Sequence, residues 1–144
     1  MKNFKLLIAA YCLLLSFIMI GLGGCNDDNE KISSLLQTWK LTEFREETGN
    51  IVAFDDYACS ECYTLTFHKD HSITGKSSIN IIAGTFDPSG KKTEIHSATE
   101  ALEEGFGNVF TETLPLVHYY ILENNELKLF YSNNGSLLFK PGTD

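Results

Sequence analysis

The residues best able to do chemistry are few. His68 and His71 lie three apart with Asp70 between them, donors that could ligate zinc or another divalent ion. No third histidine or cysteine lies near them in sequence, so solvated turn residues are expected; His96 and His118 fall on separate strands. Cys59 and Cys62 form C-S-E-C, a spacing used for zinc, for redox chemistry and for local disulfides. With no second C-x-x-C and no βαβ context, a disulfide closing a tight loop before Tyr63 is the expectation. Glu100, Glu103 and Glu104 could offer a calcium ligand or a general base, but they lack the D-x-D-x-D-G spacing and read as a solvated face. There is no G-x-S-x-G, P-loop or dinucleotide fingerprint, so neither a catalytic residue nor a cofactor is expected.

A different chemistry is written at the amino terminus. Lys2 and Lys5 precede an apolar run over residues 6–20 that only Ser16 interrupts, and Leu22-Gly23-Gly24-Cys25 follows. A basic start, a short apolar segment and small residues before a cut are the parts of a secretory signal. With the cysteine, the pattern resembles the lipobox of bacterial lipoproteins. That resemblance implies a signal peptide over 1–24 and lipid on Cys25, which anchors the chain to a membrane without spanning it. Residues 25–34 then read as a flexible acidic tether. Its Asn26-Asp27-Asp28-Asn29-Glu30 resembles the export signal of some Bacteroidota lipoproteins, implying an outer-membrane address on the periplasmic or the outer face.

Removal of 1–24 leaves nine basic residues against nineteen acids, a net charge near −10. The phosphate backbone of nucleic acid would repel so acidic a domain, which excludes it as a partner. The acidity reads as a soluble, self-repelling surface.

The elements that would position these residues are strands. Tyr63, Leu65 and Phe67 alternate with Thr64, Thr66 and His68, the period of a half-buried strand. Further strands are expected over 38–44, 51–54, 73–75, 80–86, 93–97, 117–122, 126–132 and 136–140. In the first, Trp39 and Leu41 face one side and Phe44 the other. Asn124-Asn125 and Asn133-Asn134-Gly135 supply tight turns. Val109, Phe110, Thr113 and Leu114 have near-helical spacing, and Pro115 ends that helix. Strands joined by such short turns are antiparallel. The fold class expected is mainly β, a small antiparallel barrel-like meander with one short helix late in the chain. Tyr119, Tyr120, Phe130 and Tyr131 make its terminal hairpin aromatic, as core and rim.

The order of a Trp39 strand, Y-T-L-T-F, S-I-T-G, I-N-x-x-x-G-T-F, a helix and a terminal L-x-L-x-Y hairpin resembles the META domain of HslJ-like lipoproteins. The matched positions are Gly75, Asn80, Gly84 and Phe86; Ile79 stands where that family has a cysteine. The resemblance spans residues 36–141 and implies a META-like β domain over 35–144. It makes Trp39, Gly75, Asn80, Gly84 and Phe86 fold-defining and implies no catalytic activity. Two functions follow as expectations: a binding or envelope-maintenance module with a protein partner, or a lipocalin-like carrier of a small apolar ligand in an internal pocket.

Overall fold

The computed structural model describes residues 27–54, 59–103 and 105–142. The expected signal peptide, Cys25 and Glu104 lie outside them. The chain divides into Met1–Glu30 and Lys31–Asp144, and the sheet belongs to the second unit. Its strands are β1 (Thr38–Arg45), β2 (Ile51–Ala53), β3 (Thr64–Phe67), β4 (Ser72–Lys76), β5 (Ile81–Phe86), β6 (Thr93–Ser97), β7 (Tyr119–Glu123), β8 (Glu126–Phe130) and β9 (Ser136–Pro141). Helix α1 (Asp27–Leu35) precedes them, and α2 (Phe106–Thr113) with a 3-10 turn (Leu114–Leu116) lies between β6 and β7. Every strand pair is antiparallel, in the order β6-β5-β4-β3-β1-β9-β8-β7, with β2 on β1 outside that path. The result is a mainly β, curled, barrel-like sheet with one short helix late in the chain.

Alternation builds the core. Leu65 and Phe67 of β3, and Leu127 and Leu129 of β8, are buried while their neighbours are half-exposed. Each such side chain contributes about 1.5–3 kcal/mol by leaving water. In β1 the period breaks. The register with β9 shifts between Leu41 and Glu43, so Phe44 joins Trp39 and Leu41 inside instead of facing away from them. A bulge inserts one residue and flips every side chain after it. Trp39 is fully buried, and its indole N–H donates to the Leu35 carbonyl at 2.9 Å. Gly75 and Gly84 have no alternative: an added Cβ would run into the carbonyl oxygens of Thr64 and Glu94 respectively.

The ends of the sheet are bridged by side chains and a turn. The Tyr120 N–H donates to the Gly90 carbonyl at 3.1 Å, and the Tyr120 hydroxyl donates to Asp87 O at 3.0 Å. Thr93 Oγ1 donates to Val117 O at 3.2 Å, tying β6 to the end of the 3-10 turn. Helix α2 inserts Phe106 and Phe110 among Phe44, Phe54 and Tyr63, with the Phe106–Phe54 ring centroids 4.0 Å apart.

Several boundaries differ from the sequence expectation. The segment read as a flexible tether over 25–34 is helical from Asp27, with acids in its first turn where the helix dipole favours them. Helix α2 starts at Phe106, ahead of the Val109 that opened the helical spacing, and Pro115 sits in a 3-10 turn instead of closing the α-helix. That turn delays β7 to Tyr119. Tyr63 precedes β3 at φ 55°, because the chain leaves the cysteine loop there.

Candidate functional site

Two polar clusters stand at the same end of the sheet, where β4 turns into β5 and the chain enters β3. The first is built on an anion. Glu103 is 4% exposed. Ser77 Oγ donates to its Oε1 and Ser78 Oγ to its Oε2. Asn80 adds its backbone N–H at 3.0 Å and its Nδ2 at 2.9 Å. The Asn80 side chain is itself saturated. Nδ2 also donates to Ala101 O at 2.8 Å, and Oδ1 accepts from Thr99 Oγ1 at 2.7 Å and from the Ala101 N–H at 2.8 Å. Gly107 leaves the room: a Cβ there would strike Glu103 Oε2 and Ser78 Oγ.

Burial pushes the Glu103 carboxyl up, but the hydrogen bonds from Ser77, Ser78 and Asn80 overcome it and hold the group at about 2. A general base works best with a pKa near the operating pH. Glu103 is an anion locked at both oxygens, a keystone between the β4–β5 turn and the start of α2. This corrects the reading of the acid cluster as a solvated face: Glu100 is exposed, but Glu103 is buried because four donors converge on it. The turn Ser77-Ser78-Ile79-Asn80 was the available signal, since so many donors in four residues require an acceptor from elsewhere.

The second cluster is built on a cation. Cys59 and Cys62 are disulfide-bonded, with Cα atoms 5.3 Å apart. Lys40 of β1 donates from Nζ to Cys62 O at 2.6 Å, Cys59 O at 2.8 Å and Ser60 O at 3.0 Å. Cys62 Sγ lies 3.6 Å from Ser78 O, so the two clusters touch.

The histidines lie at the other end of β3 and β4. His68 Nε2 pairs with Thr74 Oγ1 at 2.7 Å, and His71, at φ 66°, packs on the Phe86 ring at 5.5 Å. Asp70 Oδ1 accepts from Ser72 Oγ at 2.6 Å and Ser72 N at 3.0 Å, bonds that lower its pKa and serve the turn. His96 is exposed on β6, and His118, expected on a strand, is exposed in the connection before β7 with Nδ1 3.3 Å from Leu116 O. Among the described residues no three His, Cys, Asp or Glu side chains group to hold a metal. A cleft of about 400 Å³ opens nearby, between Gln37, Thr38, Thr66, His68, Lys69 and Gly142. In the terminal hairpin Tyr119 stacks on Phe130 at 4.5 Å, and Tyr131 stacks on Phe44 while donating to Arg45 O at 2.9 Å. Of the positions the family resemblance marked, Trp39, Asn80 and Phe86 are buried, and Gly75 and Gly84 are sterically enclosed.

No family model and no curated protein matches the chain. Solved structures share its fold. A DUF4847 family protein from Bacteroides vulgatus superposes with a TM-score of 0.56 at 18% identity, covering 76% of this chain and 96% of that one. A protein from Burkholderia xenovorans, solved by NMR, gives 0.59 at 14% identity, covering 88% and 97%.

Proposed function

We propose that this chain is a lipid-anchored protein of the bacterial outer membrane, whose META-like β domain is a non-catalytic binding or envelope-maintenance module. The observation that carries the anchor is the apolar run ending in Gly23-Gly24-Cys25 behind Lys2 and Lys5. Two acyl chains, at about 0.8 kcal/mol per buried methylene, give stable attachment. Cys25→Ala shifts the protein from the membrane to the soluble fraction; retention of that variant would falsify the anchor.

The state of the interior supports a module that acts through its surface. A carrier needs an internal apolar space. Here Trp39, Phe67, Phe110 and Phe139 are all buried in one hydrophobic core. The surface offers Leu102, 86% exposed and rigidly held, because Ala101 and Glu103 on either side are bonded to Asn80. Ile79, on the turn bonded to that segment, and Ile81, which opens β5, are 54% and 57% exposed. Apolar anchors already held in place lose less freedom on binding. With a net charge near −10 the mature chain repels its own copies, so the partner is a protein offering a basic, apolar segment. A photo-crosslinker at position 79 in native envelopes captures such a protein, and Leu102→Glu abolishes the crosslink. Equal capture with and without Leu102 removes the binding reading.

A further inference from the structure

We propose that Cys59–Cys62 is a thiol–disulfide exchange site, with Cys59 the sulfur attacked and Cys62 the resolving sulfur. The first observation is accessibility. Cys59 is partly exposed, while Cys62 is 3% exposed, so Cys59 is the residue of the pair that an external thiolate can approach. Exchange requires in-line access to one sulfur and a leaving group on the other.

The second observation is charge. Lys40 Nζ sits against the carbonyls of Cys59, Ser60 and Cys62 at 2.6–3.0 Å, which places an ammonium against the backbone of the C-S-E-C loop. A cation there favours thiolate over thiol and eases departure of the leaving sulfur. Among the described residues, the Glu61 side chain is directed outward, 83% exposed and paired with Lys76 at 3.9 Å, and the Glu103 carboxylate is taken up by its own donors.

The third observation is provision for the reduced state. Ser78 O stands 3.6 Å from Cys62 Sγ, an acceptor placed where the proton of a Cys62 thiol would point. The loop also has bonds that do not depend on the disulfide. Cys62 N–H donates to Cys59 O at 3.3 Å, Thr64 Oγ1 donates to Glu61 O at 3.0 Å, and Lys40 holds all three carbonyls. Reduction therefore leaves the two sulfurs near each other, ready to re-form the bond.

The step balances with an external dithiol as co-reactant. Its thiolate attacks Cys59 Sγ, forming a mixed disulfide and breaking the Cys59–Cys62 bond. Cys62 leaves as a thiolate and takes a proton from water. The second thiolate of the dithiol attacks its own sulfur in the mixed disulfide and releases Cys59, which is protonated in turn. Two electrons pass to the protein, and the dithiol becomes a disulfide. In reverse, the Cys59 thiolate attacks a partner disulfide, Cys62 resolves the mixed disulfide by attacking Cys59 Sγ, and the partner leaves as a dithiol.

The test uses the full-length wild-type protein in detergent. It is reduced with dithiothreitol and treated with limiting iodoacetamide, and modification is assigned to each cysteine by mass spectrometry. We expect Cys59 to be alkylated at least tenfold faster than Cys62 in the folded protein, and both at similar rates in guanidinium. Lys40→Met slows the Cys59 reaction several-fold without changing its rate in guanidinium. In Cys62→Ser, oxidised glutathione adds to Cys59; in Cys59→Ser, Cys62 stays unmodified. Equal native rates at the two cysteines, or an oxidised pair that dithiothreitol reduces only after unfolding, would overturn the proposal.

Discussion

The anion at Glu103 and the cation at Lys40 belong to clusters that meet where Cys62 touches Ser78, yet they are satisfied in opposite ways. Glu103 is buried, and its donors come from the side chains and backbone of the β4–β5 turn. Lys40 is half-exposed, and its acceptors are carbonyls of a loop already closed by a disulfide. Removing the anion leaves buried donors without water, each at about 1–3 kcal/mol. Removing the cation leaves carbonyls that solvent can reach. The difference separates a keystone of the fold from a tuning element of a loop.

The largest effect is expected from Glu103→Ala, which strands Ser77, Ser78 and Asn80. We expect a loss of about 3 kcal/mol in urea unfolding; a loss below about 1 kcal/mol would erase the contrast with Lys40. Gly107→Ala attacks the same knot without touching its charge, since the new Cβ collides with the carboxylate and with Ser78. The collision outweighs the better helix propensity of alanine, leaving a net loss of about 2 kcal/mol. Thermal melts of this variant that match wild type would show that the pocket has slack. Lys40→Met should cost about 1 kcal/mol, with hydrogen exchange rising in residues 59–63 and not in 77–80. Exchange rising equally in both segments would make the two clusters one unit. Leu102→Ser, one residue from the keystone but exposed, should change stability by less than about 0.5 kcal/mol. A larger loss in calorimetry would place Leu102 in the fold rather than on a binding surface.

Much of the sheet was legible because the period-2 pattern is local. Leu65 and Phe67, or Leu127 and Leu129, declare their face from sequence alone, and Asn124 and Asn125 take φ values of 52° and 59° in the turn their type suggested. The β1 bulge was not legible, because it depends on register with β9 some ninety residues away. Glu103 misled for the same reason. In sequence it is one of three acids; its burial depends on Ser77, Ser78 and Asn80, more than twenty residues earlier. The pairing of Lys40 with the cysteine loop was equally hidden, since nothing in T-W-K-L-T-E-F distinguishes that lysine from one pointing to solvent. The histidine turn lost its apparent ligand set because Thr74, Ser72 and Phe86 engage its side chains.

Glu103 is a buried, ionised keystone, and stability against pH tests this most directly. Its folded pKa, about 2, lies below the ordinary value of 4.5, so its contribution is complete above pH 4.5 and disappears as pH falls toward 2. Across that window wild type should lose roughly 3 kcal/mol more than Glu103→Gln does, as read from urea unfolding at matched pH values. Parallel profiles for the two proteins would contradict the account.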